Sequence, residues 1–78
     1  MARFFFHLHN DFDTQDTEGR ELPDLEEPRR QATEEARMMA AESVQLGHLD
    51  LSHFVRVTTA DGTTVLKIKF GDAVDVRR

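Results

Sequence analysis

The residues of this chain best suited to chemistry lie close to its start. His7, His9, Asp11 and Asp13 bring two imidazoles and two carboxylates into a short stretch. Neutral imidazole suits zinc or nickel. Two histidines two residues apart on an extended backbone project from the same side, and His53 is a further candidate ligand for the same ion. The spacing matches none of the standard zinc patterns, so two polar residues on a solvent-facing strand are the competing reading. Asp11, Asp13, Gln15, Asp16 and Glu18 superficially resemble a calcium loop. That loop requires glycine at its sixth position and glutamate at its twelfth. Counted from Asp11 those places hold Asp16 and Leu22, so the stretch reads as a solvated hairpin loop.

Catalysis has little to stand on. The chain has no cysteine, no serine–histidine–aspartate arrangement with supporting glycine turns, and no glycine-rich phosphate loop. Glu34 and Glu35 are adjacent acids on the exposed side of a helix, where carboxylates keep ordinary proton affinities. The expected class is non-enzymatic, with no cofactor.

A third set of residues is spread along the chain. Arg3, Phe5, His7, His9, Phe54, Arg56, Thr58, Val65, Lys67 and Lys69 alternate with apolar residues in three extended segments, which places them together on one sheet face. Aromatic rings among cations on an open sheet can stack bases and hold phosphates. They also leave an apolar patch for a partner or a second copy to bury. Protein association, self-association included, ranks ahead of nucleic acid because the net charge is −5, with fifteen acids against ten bases. Residues 11–27 concentrate eight acids against the single base Arg20, whereas Arg56, Lys67, Lys69 and the Arg77-Arg78 pair lie toward the other end.

The elements that must position these groups follow from periodicity. Residues 3–9 read as a strand with Phe4, Phe6 and Leu8 inward. Residues 10–17 form a loop, and residues 18–22 a second strand that hairpins with the first and stops at Pro23. Asp24 opens a helix as N-cap, with Glu27 completing a capping box. From that start Pro28 would cost a helical hydrogen bond, whereas as first helical residue it would be tolerated. Leu25, Ala32, Ala36, Met39, Ala40, Ser43 and Leu46 form the helix's inner stripe, and Met38 points outward. Gly47 stops the helix. Residues 53–59 and 64–70 are two strands joined through Asp61-Gly62. Residues 71–76 are either a helical turn or an edge strand. The expected fold is α+β, β-β-α-β-β, one helix on one face of a four-stranded, mostly antiparallel sheet. Its core is Phe4, Phe6, Leu8, Leu22, Val55, Val57, Leu66, Ile68 and Phe70.

Phe4-Phe5-Phe6-His7-Leu8, followed by Glu18-Gly19-Arg20-Glu21-Leu22-Pro23-Asp24-Leu25-Glu26, resembles a group of short bacterial proteins catalogued only as a domain of unknown function. The likeness covers nearly the whole chain, and the Leu22–Leu25 segment is its most specific part. Pro28 stands where that family's pattern has alanine. The resemblance implies a fold and a bacterial source, but no activity. Leu22-Pro23-Asp24-Leu25 with Glu34-Glu35-Ala36 is more loosely similar to HicB-type antitoxins, which implies a regulator that binds a toxin or nucleic acid. The glycine-rich stretch of those proteins is missing here, and no DNA-binding tail follows Phe70.

Seventy-eight residues make one domain with a modest core, and small domains without disulfides often self-associate. A homodimer is therefore expected. The apolar run Phe4–Phe6 is too short for a secretory or membrane-spanning segment, so the expected address is the cytoplasm, with no membrane partner.

Overall fold

Alternation along the first strand organises the molecule. In the computed structural model, which describes residues 2–77 and so leaves Met1 and Arg78 outside the described residues, β1 (Ala2–His9) buries Phe4 and Phe6 against the helix layer. Two short strands follow, β2 (Asp13–Thr14) and β3 (Arg20–Leu22). Then come α1 (Glu26–Gln45), β4 (Phe54–Thr59), β5 (Thr64–Lys69) and a single helical turn, α2 (Phe70–Ala73).

The sheet runs β2-β1-β4-β5, with β3 also paired to β1, and every pairing is antiparallel. β2 and β3 share one edge of β1: β2 lies beside Leu8 and His9, and β3 beside Ala2 to Phe4. The fold is thus α+β, one main helix on an open antiparallel sheet. Among the described residues the strand count is five rather than four, because residues expected as loop contribute β2.

Helix α1 begins one residue later than expected, with Leu25 rather than Asp24 at its N-cap position, although Asp24 still serves its first turn. The Asp24 carboxylate accepts the N–H groups of Glu26 and Glu27 at 3.0 and 3.1 Å, which satisfies two otherwise orphaned donors. The reciprocal half of the capping box is not made, because Glu27 turns to Arg30 and Gln31 instead. Pro28 is the third helical residue, within the stretch whose N–H groups lack helical acceptors anyway, so it costs no bond and is fully buried. At the other end Gly47 adopts φ +93°. Its N–H meets the Val44 carbonyl while the His48 N–H meets that of Ser43, a Schellman closure.

Ala32, Ala36 and Ala40 lie against the sheet with Pro28 and Ser43, their small side chains letting the helix approach closely. Leu25 and Leu46, expected on this stripe, are instead 55% and 73% exposed. Both stand outside the helix body, as its N-cap and C-cap residues, where the helical stripe no longer fixes their direction. Leu8, Leu22 and Ile68 are half-buried around a core completed by Val55, Val57, Leu66 and Phe70. Phe70 is fully buried, but as the first residue of α2 rather than the last of a strand. The undecided segment after it therefore begins as a helical turn. Arg37 on α1 donates from Nε to the Ala73 carbonyl at 2.6 Å and holds that turn down.

Candidate functional site

Strand register assembles the uncovered sheet face as three rungs. His9 pairs with Phe54 and Phe54 with Lys69; His7 with Arg56 and Arg56 with Lys67; Phe5 with Thr58 and Thr58 with Thr64. Directly paired residues project to the same side, so the set read from alternation does converge. One member leaves it. A bulge between Val57 and Thr58 makes Val65 the extra residue of β5, and it packs against the core.

The central rung carries a histidine that is not available to solvent. His7 is only 7% exposed although it lies on the face opposite the helix, because the acidic loop folds back over it. The Asp16 backbone N–H donates to His7 Nδ1 at 3.1 Å, and the other ring nitrogen, Nε2, lies 2.9 Å from the Thr58 hydroxyl. With Nδ1 accepting, the proton sits on Nε2 and is donated to Thr58. Burial pushes the His7 pKa below its usual value; the nearby Arg56 charge, and more weakly His9, act in the same direction, against the opposing pull of Asp16. His7 is therefore a neutral structural residue with both ring nitrogens engaged.

Asp16, noticed in the sequence only within the calcium-loop-like stretch, has a role here that sequence reasoning missed. Its carboxylate accepts the N–H groups of Phe6, Glu18 and Gly19, each at 3.1 Å. Between β2 and β3 the edge of β1 has no strand partner, and Asp16 takes that role for Phe6. Burial alone would raise its pKa, but these three backbone donors, helped by Arg20, lower it. The signal in the sequence was an aspartate two and three residues before a loop N–H, the usual local bonding pattern of Asp. It is too common to single out.

Beside His7, a row of contacting groups runs across the other end of the face. His9 stacks on Phe54 with ring centroids 4.6 Å apart, and the Lys67 ammonium lies 4.1 Å from the Phe54 centroid. Arg56 donates from Nε to His9 Nε2 and from Nη1 to Thr64 Oγ1, both at 3.3 Å. Among the described residues no carboxylate lies within ion-pair distance of Arg56, Lys67 or Lys69. Arg3 behaves differently. It is held at the far end of β1 by the Glu18 carbonyl at 2.6 Å and Glu21 at 3.2 Å, so its charge is spent within the molecule. Phe5 rests on Gly19, where a Cβ would lie 2.9 Å from its ring.

The four metal-ligand candidates are not brought together. His7 is engaged as described. His9 Nδ1 bonds Asp13 at 2.9 Å, while Asp11 turns away to His48 and His53 at 3.5 and 3.7 Å. Among the described residues no group of three or more histidine, cysteine or acidic side chains could hold a metal ion. Nor does any helix among them have the length and apolarity to cross a membrane.

Two concavities flank β1. One, about 280 Å³, lies between α1 and β1 and is lined mainly by Phe6, Leu8, Met38, Met39 and Val55. The other, about 390 Å³ and shallow, opens on the rung face among Phe5, Gln15, Arg56, Thr58 and Gly62.

Residues 3–71 match the model of a family described as "Domain of unknown function (DUF6894)". No curated protein and no solved structure matches the chain. The looser likeness to HicB-type antitoxins is not shown by these comparisons.

Proposed function

The chain belongs to the DUF6894 family, whose description assigns no activity, and we propose that it is a non-enzymatic interaction domain whose open sheet face docks an acidic protein segment. One observation carries this reading: Arg56, Lys67 and Lys69 stand side by side on adjacent strands, flanking the Phe54 ring, without a carboxylate partner among the described residues. Unneutralised cations in a row supply the charge that draws an acidic segment, and their aliphatic stems supply apolar area beneath it. The buried, neutral His7 and the dispersed acids supply no reacting pair, which supports the non-enzymatic half. The cytoplasm is the address this reading assumes.

Nucleic acid fits the face less well. Phe54 has His9 stacked on one side and Lys67 over its ring, so no free ring face is left for a base. A two-fold homodimer through this face would set each cluster of cations against its own copy, which costs affinity. Self-association is a second reading, favoured by the outer edge of β5, which pairs with no strand among the described residues. The bulge at Val65 and the lysines on that edge are features that blunt such pairing.

Amide spectra of the full chain titrated with poly-L-glutamate test the proposal, with poly-L-lysine and a single-stranded RNA as comparisons. Poly-L-glutamate should shift the β4–β5 amides, and Lys67→Glu with Lys69→Glu should abolish the effect while leaving the fold intact. Absence of any shift on that face, or larger shifts with RNA, would overturn it. Light scattering of the unmodified chain decides the second reading: a concentration-dependent dimer supports it, and a monomer throughout rejects it.

A further inference from the structure

The shallow concavity at the Thr58 end of the open face has a property the cation row does not share: a hydroxyl proton and a guanidinium nitrogen are both left over there as donors. The Asp16 N–H occupies His7 Nδ1, so the Nε2 proton goes to Thr58 Oγ1. The Thr58 hydroxyl is thereby an acceptor for histidine, and its own hydrogen has no acceptor among the described residues although Thr58 is only 4% exposed. The hydroxyl is satisfied as an acceptor, so its proton is what it still has to offer. Arg56 lines the same hollow. Its Nε and Nη1 are held by His9 Nε2 and Thr64 Oγ1, which orient the guanidinium without setting a carboxylate against it. Nη2 has no protein partner among the described residues. Gln15 adds an amide at the rim, and Phe5 forms an apolar wall.

Donors converging with one positive charge define a receptor for an oxyanion. The nearby Asp16 carboxylate acts against a second negative charge on the ligand, and only one guanidinium is present to match it. A monoanionic carboxylate suits these terms better than a phosphate dianion, one oxygen receiving Nη2 of Arg56 and the other the Thr58 hydroxyl.

We propose that this hollow is a carboxylate subsite, in which Arg56 and the Thr58 hydroxyl together receive one acidic side chain of the docking segment. It deepens the reading of the open face and rests on it for the identity of the partner. His7 acts here as a positioning residue: by donating to Thr58 it frees the threonine proton for the ligand.

Sodium acetate, poly-L-glutamate and inorganic phosphate, each titrated into the full chain and followed by NMR, test it. Acetate should saturably shift the Thr58 amide and the Arg56 Nε–H signals, and phosphate should bind more weakly. Thr58→Val should weaken acetate and poly-L-glutamate by roughly ten- to hundredfold, the span of one hydrogen bond to a charged group. Thr58→Ser, which keeps the hydroxyl, should restore binding even if Thr58→Val proves poorly folded. Arg56→Lys should weaken binding despite the retained charge. Poly-L-glutamate binding that depends on Lys67 and Lys69 but is indifferent to Thr58→Val and Arg56→Lys would overturn the subsite while leaving the docking face standing. Saturable acetate binding without poly-L-glutamate binding would do the reverse. Tighter binding of phosphate than acetate overturns the carboxylate assignment.

Discussion

At the scale of single residues, His7 and Asp16 govern how the open face responds to acid. Both have folded-state pKa values below their ordinary ones, so the unfolded chain binds more protons and stability rises with pH across each window. The His7 contribution is complete above its unfolded value of about 6.5 and is lost as pH falls through the lower folded value. The Asp16 contribution is retained there and is lost only once pH falls below the ordinary carboxylate range of about 4. Urea midpoints measured from pH 7.5 to 4.5 should therefore decline in the unmodified protein, and His7→Gln should flatten that decline. An equal slope in the variant would show that other groups are responsible. Asp16→Ala removes the carboxylate that accepts the Phe6 N–H and should cost about 1–3 kcal/mol in urea unfolding at neutral pH. A loss smaller than that would mean water replaces the carboxylate at the β1 edge.

Elements are held by a few contacts that hydrophobic periodicity does not describe. Arg20, on the three-residue β3, lies over the Phe6 ring at 4.2 Å and reaches Gln31 at 2.8 Å and the Glu35 carboxylate. It ties a strand too short to hold itself to the middle of α1. Gly19, just before it, has φ +72° and faces the Phe4 carbonyl and the Phe5 ring, both 2.9 Å from where a Cβ would stand. Alanine there meets backbone strain and a clash together, so Gly19→Ala should destabilise by about 1–3 kcal/mol. The same change at Gly62, which shares a positive φ but has open space around it, should carry the strain without the clash and cost less. The pair of thermal midpoints separates the two contributions. On α1, Ala36 is fully buried against the sheet, and Ala36→Leu should cost about 1–3 kcal/mol by forcing the layers apart.

The whole molecule is two layers thick, 40 × 23 × 16 Å in its backbone extents, and every core residue belongs to one cluster. A domain of this length is stable by roughly 4–12 kcal/mol, so a single large cavity consumes much of the margin. Phe70 sits where α2, β5 and α1 meet and is fully buried. Phe70→Ala should cost about 3–5 kcal/mol and leave a collapsed dispersion of amide signals near 37 °C; a well-dispersed spectrum would refute its central place. The uneven charge distribution acts at this scale too. An acidic partner is repelled by the chain as a whole and attracted by one face, so its affinity should fall from 50 to 500 mM salt as the short-range attraction is screened. Salt-independent affinity would point to apolar docking instead.

Much of the architecture could be read from residue order, because alternation and capping are local. Phe4 and Phe6 turning inward, the helix between Asp24 and Gly47, the Asp61-Gly62 hairpin and the outward side on which His9, Phe54, Arg56, Lys67 and Lys69 each stand all depend on neighbours within a few positions. Tertiary structure decided what happens when the acidic loop meets the sheet. Only there does Asp16 become an edge partner for Phe6, His7 lose its access to solvent, Arg3 find Glu21, and the metal-ligand candidates separate. The physical reason is range: periodicity specifies which side of a strand a group occupies, whereas burial, tautomer and free valence depend on which distant backbone donor comes to rest against it.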